Sequence, residues 1–371
     1  MRKWIVAAVC VLAVGAILVS GRLTATTRLL RVVWRVASGP VGRIPSVREY
    51  RVTGRSGQSV LEAIVYRPAG RLPRSGVILV AGVSELGCQH PRLVSLSRAL
   101  ADVGFLVLTP DIKMLREFRI FPPPLDEISF WLREVRGLEG GQALNRVGLA
   151  GISFSGTLSL IAASQPRNLD LVSYVVGIGS FDDLVRCGDF WFGSGPVTVG
   201  NGYYPTRYYG RWVIMLAALD LLREPEDRRY LEIALNRMLL QMEVPKPPES
   251  LTDAGRRWHR LAVMREDQAD PELARQIELH VAAFLQPALS TREAASEIRC
   301  PVFLAHGAHD DLIPPDESRR LQAKIAQARS YLLISPFLTH THPWQNPMSL
   351  WHKAVAVVQM AGFFFHLTGV M

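Results

Sequence analysis

The chain has 371 residues, 49% apolar and 20% charged, enough for one large domain or a domain with an insertion, which excludes disorder over most of its length. Lys and Arg outnumber Asp and Glu by 42 to 33, yet eight of the cations (Arg2, Lys3, Arg22, Arg28, Arg31, Arg35, Arg43, Arg48) precede the first acid, Glu49, and the remainder balances at 34 against 33. That distribution argues against a nucleic-acid-binding body, whose basic patch lies on the folded domain.

Trp4 to Gly21 is an uncharged run of 18 residues, the lower limit for crossing about 30 Å of hydrocarbon, preceded by Arg2 and Lys3. It predicts a transmembrane anchor over residues 1–21, with the alternative of a signal segment cleaved after Gly21. The expected location is therefore at a membrane, on a side left open by cations at both ends, or secreted or periplasmic if the segment is removed. Residues 22–47 form a basic amphipathic linker. In it Thr27 to Val36 (TRLLRVVWRV) has arginines at helical spacing, suiting either a headgroup-level helix or a connecting helix packed on the body.

Beyond Glu49 the chain alternates short apolar runs with amphipathic stretches. Strands are expected at Leu61 to Tyr66, Val77 to Ala81, Phe105 to Thr109, Val147 to Gly151, Val172 to Ile178, Val302 to Ala305 and Tyr331 to Ile334. Helices are expected at Pro91 to Val103, Leu125 to Val135, Gly156 to Ser164, Pro315 to Ala328 and Pro347 to Leu367. Continuous apolar strands alternating with helices imply a doubly wound, mostly parallel α/β sheet covered on both faces. The rhythm breaks between Phe181 and Arg299, where helical patterns at 212–222, 230–242 and 271–285 predict a helical cap inserted before the penultimate strand, over the sheet's carboxyl edge. The core is thus expected in two parts, 48–180 and 300–371, around a cap at 181–299. Cys10, Cys88, Cys187 and Cys300 are too dispersed to imply a disulfide framework or a zinc site.

The segment VGLAGISFS (147–155), followed by Gly156, puts Ser153 where an apolar strand stops and a helix begins. A serine on so sharp a turn projects its oxygen from the sheet edge, and small neighbours such as Gly151 and Gly156 relieve the crowding. An ordinary helix N-cap is the other reading of Ser153. The string resembles the nucleophile elbow G-x-S-x-G of the α/β-hydrolase superfamily of serine esterases, lipases and dienelactone-hydrolase-like proteins, with Ser155 where glycine is usual.

A serine hydroxyl needs a histidine to take its proton and a carboxylate to orient that histidine. VFLAHGAHDDLIP (302–314) resembles the family's H-G-x-x-D-x-x-V/I-P segment, which implies Asp310 as the acid, with Asp311 its neighbour and Asp182 or Asp183 the other family location. SPFLTHTHP follows the last strand, and the family's spacing implies His340 as the base, with His342 the competitor. The pairs His306/His309 and His340/His342 also admit a metal-site reading, but no HExxH string occurs and no metal or cofactor is expected.

Acyl transfer needs two backbone donors facing the developing oxyanion. The resemblance implies the amides of Phe154, directly after the nucleophile, and of Val83, in VILVAGVSELG (77–87), where Ala81 replaces the family's histidine. Aromatic strings FWF (190–192) and YYPTRYYG (203–210) can line an apolar acyl pocket or build the cap's own core. The implied function is hydrolysis of a carboxylic ester, or a thioester or amide, on a small and apolar substrate. A non-catalytic scaffold that binds a lipid or protein, and an acyltransferase using the same triad, are the alternatives.

Overall fold

Strands such as VILV, FLVL and VFLA are apolar at every position, so neither of their faces can meet water and the sheet they form must be covered twice. In the computed structural model, which describes residues 21–193, 207–263, 270–285, 289–338 and 350–371, this is what the chain does. Eight strands, β1 (Val47–Ser56), β2 (Ser59–Pro68), β3 (Ser75–Val80), β4 (Phe105–Pro110), β5 (Arg146–Ile152), β6 (Tyr174–Ile178), β7 (Val302–Gly307) and β8 (Ser330–Ser335), form one sheet in the order β1-β2-β4-β3-β5-β6-β7-β8. Pairing is antiparallel at β1/β2 and β2/β4 and parallel from β4 through β8.

The helices of the body are α1 (residues 21–37), α2 (Pro91–Val103), α3 (Lys113–Arg116), α4 (Leu125–Glu134), α5 (Phe154–Ser164), α12 (Pro315–Lys324) and α13 (Leu350–Thr368). Alternate strand residues divide between two cores. Ile78, Leu106, Leu108, Leu149 and Leu304 pack with α4, α5 and α12 on one face. Val77, Leu79, Val107, Ala150 and Phe303 pack with α1, α2 and α13 on the other. This is the doubly wound, mostly parallel architecture of the α/β-hydrolase type.

Strand β1 was not among the expected strands. It is an edge strand whose arginines, Arg48, Arg51 and Arg55, break the apolar run that marks the inner strands.

Between β6 and β7 the described elements of the insertion are helices: α6 (Leu184–Phe192), α7 (Arg207–Ala217), α8 (Pro225–Leu239), α9 (Asp253–Val263), α10 (Pro271–Leu285) and α11 (Thr291–Glu297). Side chains that cap helices set several of the starts. Asp183 accepts from the amides of Val185 and Arg186 to begin α6, and Ser290 accepts from Glu293 to begin α11.

The membrane expectation is corrected. No helix among the described residues is long and apolar enough to cross a membrane, and α1 carries Arg22, Arg28, Arg31 and Arg35, so a membrane location has no support. Residues 1–20 of the expected anchor lie outside the described residues. The linker helix packs on the body: Leu29 and Val32 are buried, and Arg35 reaches Asp102 of α2 at 2.9 Å.

Where α10 rests on α6, Glu278 is buried against Gly188. Burial, outweighing the attraction of Arg275 at 3.2 Å, pushes its carboxyl pKa up to about 7. The folded state therefore keeps a proton that the unfolded chain has released by pH 5, and stability falls as pH rises from about 4.5 through 7. Glu278→Gln abolishes this dependence. Between pH 5 and 8 the wild-type Tm should drop by about 2 °C or more relative to the variant; parallel melting profiles for the two proteins would refute the assignment.

Candidate active site

In the sheet order β4-β3-β5 the chain leaves β3 to one side and returns to the other, so the loops following β3 and β5 open a crevice at their carboxyl ends. Val80 of β3 pairs with Gly151 of β5, and each chain emerges from this level into the crevice. The two motifs read from sequence, Ala81 to Val83 and Ser153, are brought together by this one topological feature.

Ser153 occupies the turn between β5 and α5 with φ 59° and ψ −128°. A non-glycine residue at such angles costs on the order of 1–3 kcal/mol, and here it is held by hydrogen bonds from its own amide to Ile178 O (2.7 Å) and from Gly156 N to its carbonyl (2.9 Å). The Ser153 side chain makes no N-cap hydrogen bond, so the ordinary capping role is not the one it plays. Gly151 is required by the turn, because a Cβ there would collide with the Ser155 carbonyl.

The loop after β3 runs directly alongside. A Cβ on Gly82 would touch the Cβ of Ser153 at 3.5 Å and crowd Ile152 O at 3.2 Å, so the loop runs in close contact with the elbow. Ser153, Phe154, Gly82 and Val83 border one cavity of about 1040 Å³. Trp191 of α6, Tyr209, Trp212 and Val213 of α7, and Met238 and Leu239 of α8 contribute the cap side. The aromatic strings thus divide: Trp191, Tyr209 and Trp212 face the cavity, while Phe192 and Tyr208 pack against the buried guanidinium of Arg211, at 5.5 and 4.5 Å from their ring centres. Residues 203–206 lie outside the described residues.

Asp310 follows β7, two strands from the serine, and is largely buried. Its Oδ1 accepts from the amides of Leu312 (3.0 Å) and Ile313 (2.9 Å), and Oδ2 lies 3.4 Å from His306 Nε2. His306, fully buried, donates from Nε2 to Ile313 O at 2.9 Å, and its Nδ1 meets Ser318 Oγ at 2.7 Å. His306, next to the last residue of β7, therefore closes the loop carrying Asp310. Trp191 ties the cap to the same loop by donating to Leu312 O at 2.6 Å. Asp311, the neighbouring candidate, is half-buried beside it. His340 and His342, the expected base and its competitor, lie outside the described residues.

The other acid location is occupied differently. Asp182 meets Lys324 Nζ at 2.6 Å, Arg186 at 2.7 Å and Thr291 Oγ1 at 3.0 Å, while Glu317 accepts from the amides of Asp182 and Asp183 and binds Arg186. This ion cluster, its carboxylates buried and its cations partly exposed, fastens α6 to α12. Asp183 is spent as the N-cap of α6.

Three contributors to the site were not singled out by sequence. Tyr209 donates to Val83 O at 2.8 Å, and burial pushes its phenol pKa above the ordinary 10. Ser155 was noted only as a departure from glycine; its hydroxyl donates to Ala81 O at 2.5 Å. His90 lines the cavity, its pKa lowered by burial and by Arg92, and its Nδ1 accepts the Arg92 amide at the start of α2. Cys88, on the loop that follows β3, is buried, and burial pushes its thiol up to about 12, which keeps it protonated and unreactive.

Known structures of similar fold include an acylaminoacyl peptidase of Pyrococcus horikoshii, with 13% identity over 81% of this chain and a TM-score of 0.47. This chain spans 38% of that peptidase's length. The brefeldin A esterase, described as a bacterial homologue of human hormone sensitive lipase, has 15% identity over 95% of this chain and 87% of its own, with a TM-score of 0.49. The 2,6-dihydroxy-pseudo-oxynicotine hydrolase has 17% identity over 86% of this chain and 67% of its own, with a TM-score of 0.47. No curated protein matches the sequence. The profile of the X-Pro dipeptidyl-peptidase (S15 family) matches residues 127–344, a stretch that contains the β5–α5 turn, the helical insertion and the Asp310 loop. Because that match takes in more than half of the residues, the chain belongs to the X-Pro dipeptidyl-peptidase family S15, a family of hydrolases.

Proposed function

We propose that the protein is a serine hydrolase that cleaves carboxylic esters of apolar acyl groups. The observation that carries this reading is Ser153 in its strained conformation, uncommitted to capping, at the mouth of a cavity whose walls are mainly aliphatic and aromatic. In the proposed reaction Ser153 Oγ attacks the ester carbonyl as His340 takes its proton, and Asp310 orients the imidazolium that forms. The tetrahedral oxyanion receives the amides of Val83 and Phe154. His340 then protonates the departing alcohol, and water repeats the sequence on the acyl-enzyme to release the acid. No cofactor enters the scheme. The apolar walls favour an acyl chain over a peptide, whose backbone amides would be desolvated there without matching partners.

The family match favours a second reading, cleavage of the amide after an X-Pro dipeptide. Side-by-side kinetics on p-nitrophenyl butyrate, p-nitrophenyl octanoate and Gly-Pro-p-nitroanilide separate the two. The ester reading expects kcat/KM on an ester at least about 100-fold above that on the anilide, beyond what intrinsic ester reactivity against free imidazole accounts for. Preference for the anilide would make the protein a peptidase. With histidine as base the rate should decline as pH drops through about 6.5, and a rate level from pH 5 to 8 would contradict that role.

A further inference from the structure

We propose that the hydroxyls of Ser155 and Tyr209 are positioning groups that fix the oxyanion-binding peptide between them, and that Tyr209 couples the seating of the cap to catalysis. The inference rests on the reading of the Val83 amide as an oxyanion donor.

The peptide unit in question joins Gly82 to Val83. A side chain on Gly82 would press on Ile152 O at 3.2 Å and touch Ser153, and its absence leaves the dihedral angles of this residue soft, so on the oxyanion-donor reading nothing local holds the Val83 N–H in place. The units on either side are pinned. Ala81 O, in the unit before, accepts from Ser155 Oγ at 2.5 Å, with Ser155 fully buried on α5. Val83 O, in the unit after, accepts from Tyr209 Oη at 2.8 Å, and Ser84 N in that unit donates to Leu115 O at 3.2 Å. Among the described residues the Val83 amide itself has no acceptor, as a group reserved for a ligand oxygen requires. Rotating the central unit would break at least one of these bonds, so it is preorganised at no cost during reaction.

Two departures noted in the sequence thereby become one device. The loop lacks a side chain at Ala81 that would brace it from within, and the elbow carries a hydroxyl at Ser155, where glycine is usual, that braces the same residue from outside. Tyr209 adds a second consequence. It stands on α7 in the cap, so displacement of α7 releases Val83 O and loosens the oxyanion site together with the cavity wall. Burial keeps the phenol protonated and therefore a donor at any working pH.

The test uses Ser155→Ala, Ser155→Gly and Tyr209→Phe in the full chain, with kcat and KM on p-nitrophenyl butyrate, inhibition by a trifluoromethyl ketone that forms a tetrahedral adduct, and melting temperature. Each variant is expected to lose about 10- to 100-fold in kcat, less than outright removal of a donor, with KM within about threefold. Affinity for the ketone should weaken by the same factor as kcat/KM, a change that simple loss of packing would not produce. Tyr209→Phe keeps the ring, and so the fold, and decides the matter if the buried Ser155 variants are unstable. Wild-type kcat and ketone affinity in folded Tyr209→Phe would overturn the proposal while fluorophosphonate labelling of the wild type upheld the hydrolase. A folded wild type that takes no fluorophosphonate would overturn both.

Discussion

Ser153→Ala should abolish ester hydrolysis, lowering kcat by about 10⁴- to 10⁶-fold, because removal of the nucleophile leaves only the binding and oxyanion contributions. The intact mass of the wild-type chain after fluorophosphonate treatment should show one adduct, absent from the variant. Stability should hardly change. The Ser153 hydroxyl caps nothing, the backbone bonds that hold the turn run through its amide and carbonyl, and alanine bears the same left-handed strain as serine. An adduct of undiminished intensity on Ser153→Ala would place the reactive group elsewhere and remove the basis for the proposed mechanism.

Asp310→Asn is expected to cost about 10³- to 10⁴-fold in kcat with little change in KM, since an amide neither fixes the histidine tautomer nor stabilises the imidazolium. The variant should remain folded. Its side-chain oxygen can still accept from Leu312 and Ile313, and His306 still bonds Ile313 O, so the loop keeps its closure. The parallel variant Asp182→Asn sharpens the result. Asp182, itself buried, sits against Lys324 and Arg186, so its neutralisation should lower the Tm rather than kcat at temperatures where the protein stays folded. A loss of turnover confined to Asp182→Asn, with Asp310→Asn fully active, would move the acid to the end of β6.

The inner strands and the helices that cover them were legible because each has a strong local signature. The central stretches of β3, β4, β5 and β7 (VILV, FLVL, VGLAG and VFLA) carry no polar side chain, and α2 carries Pro91 at its start and Gly104 in the left-handed conformation at its end, which places its bounds at Pro91 and Val103. In the cap, α10 begins and ends at Pro271 and Leu285, as its periodicity predicts. The failures share a cause. β1 is an arginine-bearing edge strand, α9 interrupts its apolar positions with Arg256, Arg257, His259 and Arg260, and α6 and α11 are too short for a period to emerge. Each takes its conformation from neighbours distant in sequence.

The site divides along the same line. The turn at Ser153 follows from a strand, a serine and two glycines within ten residues, and the close of β7 onto Asp310 follows from another short string, because strain, capping and hydrogen bonding there involve groups only a few residues apart. Local geometry could therefore be read from the sequence alone. What no local pattern contains is which hydroxyl meets which carbonyl across the crevice. Ser155 and Ala81 are 74 residues apart and Tyr209 and Val83 are 126 apart, and they touch only because the sheet order sets β3 beside β5 and the insertion folds back over both. The commitment of Asp182 to an ion cluster and the division of the cap's aromatic residues between cavity and core were likewise decided by packing, since burial and charge pairing depend on all the elements that converge at a point.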